Sequence, residues 1–320
     1  MAREIGKAPE PLPDGALPTR GPSRRFGLLV RIFFGALGVA FLAVAFWETW
    51  HRSRGALLPS WRHLTVGGVL VLVSLVTSAN SWVALVPAPE SHRALVRGYF
   101  VSKLGRYIPG FIWGAVSQVG FAARAGVPLS QASVAFPVFA LTELAAGGTA
   151  AASLAIFGSH LGFAPRVAAL SGLIPLAFMR RSWMVWAFEV VRRRIPRIRG
   201  SDLIPSQRRI LVSYGWNVVT VAASALAFSV LMSSLQSLPS LAFGVSAFAV
   251  AWTIGYVALP FPSGVGVREA MLIATVGSST FAAPVIAASV AHRLLTMGAE
   301  LLMIGASTVR RRSSPVPPHL

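Results

Sequence analysis

Cysteine is absent and acidic side chains are scarce: the 320-residue chain has 10 Asp and Glu against 29 Lys and Arg. The missing cysteines exclude disulfides and Cys-based metal sites. Asp14 and Asp202 are the only aspartates, so there is no D-x-D pair, and neither H-E-x-x-H nor G-x-S-x-G occurs. Those gaps argue against an enzyme of the common metal-dependent or serine-hydrolase kinds. Without a G-x-x-x-x-G-K-[ST] loop, ATP is not expected as the direct energy source. Gly264-x-Gly266 lies in a Pro-rich stretch with no alternating strand before it, which speaks against a dinucleotide fold. No cofactor is implied. Charge is low overall, at 12% of residues, where a soluble domain carries about 25%.

What fills the space is apolar. Hydrophobic residues make up 54% of the chain and the mean hydropathy is +0.65. This composition defines an all-α integral membrane protein, a polytopic helical bundle, because spanning helices need about 20 apolar residues each. The formal charge of +19 falls between apolar runs rather than on a polar domain. It therefore reads as topology signal and attraction to anionic headgroups, not as a nucleic-acid surface.

Residues 1–25 are rich in Pro, Gly and Arg, and are expected as a disordered tail. The first apolar run, Phe26–Trp47, lacks a small-residue cleavage site and is expected as a membrane helix rather than a removed signal. Further full spans are expected at Leu64–Val86, Gln131–Phe157, about Ala164–Met179, Ile210–Leu235 and Phe281–Ser307. Residues 26–309 thus form a single membrane domain, followed by a basic tail at 310–320. Trp47, Trp50, Trp61 and Trp82 are expected in the interfacial belt.

Two stretches behave differently. In Ser91–Arg124 a charged arm meets Tyr107-Ile108-Pro109-Gly110, and a second arm, Phe111–Ala123, follows. In Leu241–Gly277 an apolar arm meets Leu259-Pro260-Phe261-Pro262-Ser263-Gly264-Val265-Gly266, and another arm starts at Val267. Pro and Gly at the junctions prevent one continuous helix. The second arms reach only about 17–20 Å, short of a hydrocarbon core of about 30 Å. Both stretches read as broken or re-entrant helical hairpins.

If each hairpin returns to its side of entry, the N-terminal tail, residues 87–130, residues 180–209 and Arg310–Arg312 share one side with 22 of the 29 Lys and Arg. Only Arg52, Arg54, Arg62 and Arg166 lie opposite. Both termini are therefore expected in the cytoplasm, with the chain multi-pass in the cytoplasmic (inner) membrane. The basic stretch Met179–Arg209, with Trp183 and Trp186, is expected along the cytoplasmic interface. Span, hairpin, span then occurs at 64–157 and again at 210–307 in opposite orientation, an inverted repeat of the kind secondary transporters use. Two kinked hairpins in an unrelated bundle would give the same pattern.

Ionisable residues inside the apolar segments mark the site, since each costs roughly 2.5–3.5 kcal/mol at mid-membrane unless paired or hydrated. Glu143 sits midway along its span, Arg268 and Glu269 open the short second arm, and His292, Arg293 and Glu300 lie in the last span. Arg293, Thr296 and Glu300 share a helical face by spacing, so Arg293 and Glu300 also fit a structural bridge. Glu269 also fits a carboxylate stabilising a helix N-terminus. Lys103 and Arg106 flank the first turn as Arg268 follows the second. Helix starts after such turns present free N–H groups suited to a lipid phosphate.

The run Lys103-Leu104-Gly105-Arg106-Tyr107-Ile108-Pro109-Gly110-Phe111-Ile112-Trp113 resembles the K-Y-[IL]-P-G-x-[IV]-W signature of the lysylphosphatidylglycerol synthase transmembrane, or flippase-like, family. Leu259 to Glu269 resembles its second signature, P-x-P-x-G-x-G-x-x-E. Glu143 and Arg293 fall where the family has an acidic residue and an arginine, and the order holds over roughly residues 30–307. The resemblance implies a lipid flippase whose substrate contacts include Lys103, Arg106, Tyr107, Pro109, Gly110, Trp113, Glu143, Pro262, Gly264, Gly266, Arg268, Glu269, Arg293 and Glu300. Multiple peptide resistance factors carry a soluble aminoacyl-transfer domain after this region, and the chain's end at Leu320 makes lipid synthesis unexpected. The implied partners are membrane lipids: an anionic or aminoacylated phospholipid, or a polyprenyl-linked glycan. A homo-oligomer is compatible with this reading. A small-solute secondary transporter and a membrane-embedded polyprenyl-dependent glycosyltransferase are the alternatives.

Overall fold

The structure, a computed structural model, describes residues 47, 58–87, 91–107, 112–157, 163–194, 203–236, 238, 240–257, 267–276 and 282–309. In chain order its α-helices are α1 (Trp61–Leu85), α2 (His92–Lys103), α3 (Ile112–Arg124), α4 (Leu129–Ala152), α5 (Leu154–Phe157), α6 (Phe163–Leu170), α7 (Ile174–Ala177), α8 (Arg181–Arg194), α9 (Gln207–Ser233), α10 (Leu241–Val257), α11 (Val267–Val276) and α12 (Ala282–Val309). Among the described residues there is no strand. Four helical segments among them are long and apolar enough to cross a membrane: α1, α4 with α5, α9, and α12. The chain is a membrane-embedded all-α bundle. The expected first helix, Phe26–Trp47, and both tails lie outside the described residues, apart from a helical Trp47.

The centre is the α1–α9 pair. Each helix carries a small polar stripe, Ser74, Thr77, Ser78 and Ser81 on α1 and Ser213, Asn217, Thr220 and Ser224 on α9. Spacings of three, four and seven keep each stripe on one face. The stripes meet: Thr77 Oγ1 lies 2.8 Å from Thr220 Oγ1, and Ser81 Oγ lies 2.8 Å from Ser213 Oγ. Thr142 of α4 joins Ser213 at 3.0 Å and accepts from Asn217 Nδ2 at 3.0 Å. Within lipid the hydrophobic effect does not drive helix association, so such bonds, averaging about 0.6 kcal/mol each, and close packing at small residues hold helices together. Gly67 against Leu231 continues the series, and the order 67–231, 77–220, 81–213 makes the pair antiparallel.

Two helical hairpins flank this pair. Ser91 N–H donates to Ala125 O at 3.4 Å, Gly98 lets Phe121 approach, and Gly105 sits against Gly114 and Ser117. Those contacts make α2 and α3 antiparallel arms. The second arm ends at Gly126, whose φ of 91° is the left-handed cap that glycine adopts without strain. α10 follows α4 in the opposite direction: Ser246 Oγ meets Ser153 Oγ at 2.5 Å, Trp252 packs over Gly147, and Tyr256 reaches Glu143. α11 packs back on α10, with Leu272 in the cluster that holds Phe248 and Ala251.

The packing partners are symmetric. α4 packs on α9 and on α10, while α12 packs on α1 and on α2. α3 with α4 is matched by α11 with α12. Exchanging α1 with α9, α2 with α10, α3 with α11 and α4 with α12 reproduces every one of these pairings.

Two expectations are corrected. Ala164–Met179 is not one full helix: α6 gives way to a 3-10 turn at Ser171–Leu173 and then to the short α7. A Cβ on Gly148 would lie 1.8 Å from Gly172 O, so the two backbones touch, and Pro175 at the start of α7 cannot continue the ladder. The segment still runs back along α4, from Arg166 donating to Ala155 O to the Gly148–Gly172 contact. Trp82 is the second correction. It is fully buried with its ring edge-on to Phe139 of α4 at 5.7 Å. Trp61, 71% exposed, and Trp47 remain on the surface.

Candidate functional site

The hairpin arms bring side chains to the middle of α4. The span Leu129–Phe157 has 29 residues, which places Glu143 at its centre with about 21 Å of helix on either side. Glu143 is buried and accepts a hydrogen bond from Tyr256 Oη at 3.1 Å. Tyr256 sits in the last turn of α10, its ring stacked on Trp252 at 5.1 Å. From the other hairpin, Lys103 at the end of α2 places Nζ 4.7 Å from the Tyr99 ring centre and 5.8 Å from that of Phe139. Phe139 precedes Glu143 by one turn of α4, and the Tyr99 ring meets it edge-on at 6.2 Å. Tyr99 Oη also makes a short hydrogen bond with Ser78. The end of α10 therefore reaches Glu143 directly, and the end of α2 comes to Phe139, one turn away on the same helix.

A second polar group joins α11 to α12. Arg293 Nη2 lies 3.1 Å from Glu269 Oε1, and Ser289 Oγ donates to the same oxygen at 2.9 Å. Arg293 Nη2 has the separation of an ion pair but not the alignment of a hydrogen bond, and Nε has no acceptor. The pair is thus held by charge, with guanidinium donors left over. Arg268 turns inward: its guanidinium carbon sits 4.1 Å from the Phe248 ring centre and Nη2 lies 3.4 Å from His292 Nδ1. His292 Nε2 lies 3.1 Å from Ser224 Oγ of α9. If the imidazole accepts at Nδ1 from Arg268, its proton is on Nε2 and Ser224 is the acceptor.

The sequence-derived site residues divide accordingly. Lys103 and Glu143 belong to the first group, and Arg268, Glu269 and Arg293 to the second. Glu300 is fully buried in α12, and Arg293 pairs with Glu269 rather than with it. Trp113, 51% exposed, stands on the outside of α3. Arg106 and Tyr107 lie in a 3-10 turn, Leu104–Tyr107. Pro109, Gly110, Pro262, Gly264 and Gly266 lie outside the described residues. Sequence reasoning missed Tyr99, Tyr256 and Ser289, which single out only when their helices are placed against α4 and α12. It also missed the α1–α9 polar stripes, for which the three-and-four spacing of Ser, Thr and Asn in apolar runs was a usable signal.

No protein-family model matches the chain, and no curated protein matches it. The resemblance to the flippase-like family stands on the two motifs alone.

Proposed function

We propose that this chain is a lipid transporter of the cytoplasmic membrane, moving a phosphate-bearing lipid or lipid-linked headgroup between leaflets. The observation that carries the reading is that α10 ends on Glu143 through Tyr256, halfway along a spanning helix, with Lys103 of the other hairpin one turn away at Phe139. Arms of 12 and 13 residues in the first hairpin extend about 18–20 Å, and the 10 residues of α11 about 15 Å. In this reading both hairpins are re-entrant, one from each face, and the two halves are inverted repeats with both termini cytoplasmic. The exchange symmetry of the packing supports that arrangement, as does the antiparallel α1–α9 pair.

A headgroup would pass between the hairpin tips while its acyl chains stay in lipid. Arg293, with donors not used by Glu269, supplies an anion contact near the middle of α12. Glu143 and Tyr256 supply the polar path through the core. Purified protein in proteoliposomes is the test, using a headgroup-labelled phospholipid beside labelled soluble solutes. Lipid translocation above protein-free vesicles is expected. Glu143→Gln should slow it by about tenfold, the effect of roughly 1.4 kcal/mol on a barrier. Uptake of a soluble solute without lipid movement would assign the chain to the small-solute transporters instead.

A further inference from the structure

A cleft opens at the end of the bundle where α1 stops and α4 and α9 begin. Leu85, Gln131, Arg181, Ser206, Gln207 and Arg209 line it. Three spanning segments end at its walls, so in a bilayer it lies at the level of the lipid phosphates rather than in the hydrocarbon. Gln207 builds the corner: its Oε1 accepts from the Arg181 backbone N–H at 2.7 Å, and its Nε2 donates to Met179 O at 3.4 Å. The starts of α8 and α9 are thereby tied together, and two arginines are brought to one cavity.

Among the described residues no Asp or Glu lines the cleft, and neither guanidinium has a carboxylate partner. Ser206 adds a hydroxyl that makes no capping bond to α9. We propose that this cleft is a binding site for a phosphate-bearing anion, clamped by Arg181 and Arg209 with Ser206 and Gln131 as polar contacts. Basic pockets between membrane helices at headgroup depth take anionic headgroups in this way. Arginine suits the role because its planar fork matches two phosphate oxygens at once. The site is separate from Glu143, and its proposed ligand does not depend on which cargo the hairpins handle. The same chemistry comes from an anionic lipid or from free phosphate.

Arg180 and Arg208 provide an internal control. Each is the immediate neighbour of a cleft arginine, each is exposed, and neither lines the cavity. R181Q/R209Q and R180Q/R208Q therefore remove the same charge from the same end of the molecule. Native mass spectrometry of the full chain should show phosphatidylglycerol binding about tenfold tighter than phosphatidylcholine. R181Q/R209Q should lose that preference, and R180Q/R208Q should keep it. Displacement of phosphatidylglycerol by millimolar inorganic phosphate would identify the free ion as a sufficient ligand, and no displacement would identify the lipid. Either result supports the site only if R181Q/R209Q shows neither the phosphatidylglycerol preference nor the phosphate effect. Equal losses in both double variants, or no preference in the wild type, would overturn it. Should R181Q/R209Q fail to fold, R209Q against R208Q makes the same comparison on α9.

Discussion

Glu269 and Arg293 illustrate how a charge is tolerated inside this bundle. Their side chains are 19% and 13% exposed, neither at the surface nor sealed. An exposed pair contributes up to about 1 kcal/mol, and stranding one member of a buried pair costs about 3–5 kcal/mol. Glu269→Gln should therefore lower stability by about 2–3 kcal/mol, between those limits. Adding Arg293→Gln should recover part of the loss, which thermal unfolding of the two variants would read. A double variant no more stable than the single one would mean that Arg293 is not held by Glu269. Tyr256→Phe removes the hydroxyl that donates to Glu143 and should cost about 1 kcal/mol. These ionisable residues were legible in the sequence because charge stands out against apolar runs. Their pairing was not: Arg293 and Glu300 share a helical face, yet the carboxylate that reaches Arg293 comes from another helix.

At the scale of elements, small residues decide which helices can touch. Gly148 and Gly172 bring α4 and the interrupted α6–α7 segment into backbone contact. Gly148→Ala would place a methyl group where Gly172 O already sits and should cost about 1–3 kcal/mol, as overpacking does. Gly120→Ala meets nothing within 4 Å and is the matched comparison, expected within about 0.5 kcal/mol of wild type. Equal unfolding temperatures for the two variants would contradict the contact. The spans at 61–85, 129–157, 207–233 and 282–309 were readable from length and hydropathy. The break near Gly172 was not, because the backbone contact that accompanies it is made with Gly148 of another helix. Trp82 escaped for a similar reason: its place near the end of a span suggested an interface, and the Phe139 ring that packs on it comes from α4.

For the whole molecule, the proposed topology sets the arginine-rich and arginine-poor loops on opposite sides, which reporters can read. Fusions at residue 55 and at Leu320 should report opposite sides, following the 22-to-4 partition of Lys and Arg. A same-side result would reject the topology. The central claim is that two hairpins enter from opposite faces and stop at mid-depth, and the absence of cysteine makes it directly testable. Leu104, just after α2, is 41% exposed, and Val257, ending α10, is 58% exposed. Both accept a spin label without disturbing the core. In bilayers, the oxygen and nickel-chelate accessibilities of labels at Leu104→Cys and Val257→Cys should place both near the bilayer centre. A label at Leu241→Cys, the start of α10, should sit at an interface. An interfacial depth for either Leu104 or Val257 would mean that its arm crosses the membrane, and would contradict the account.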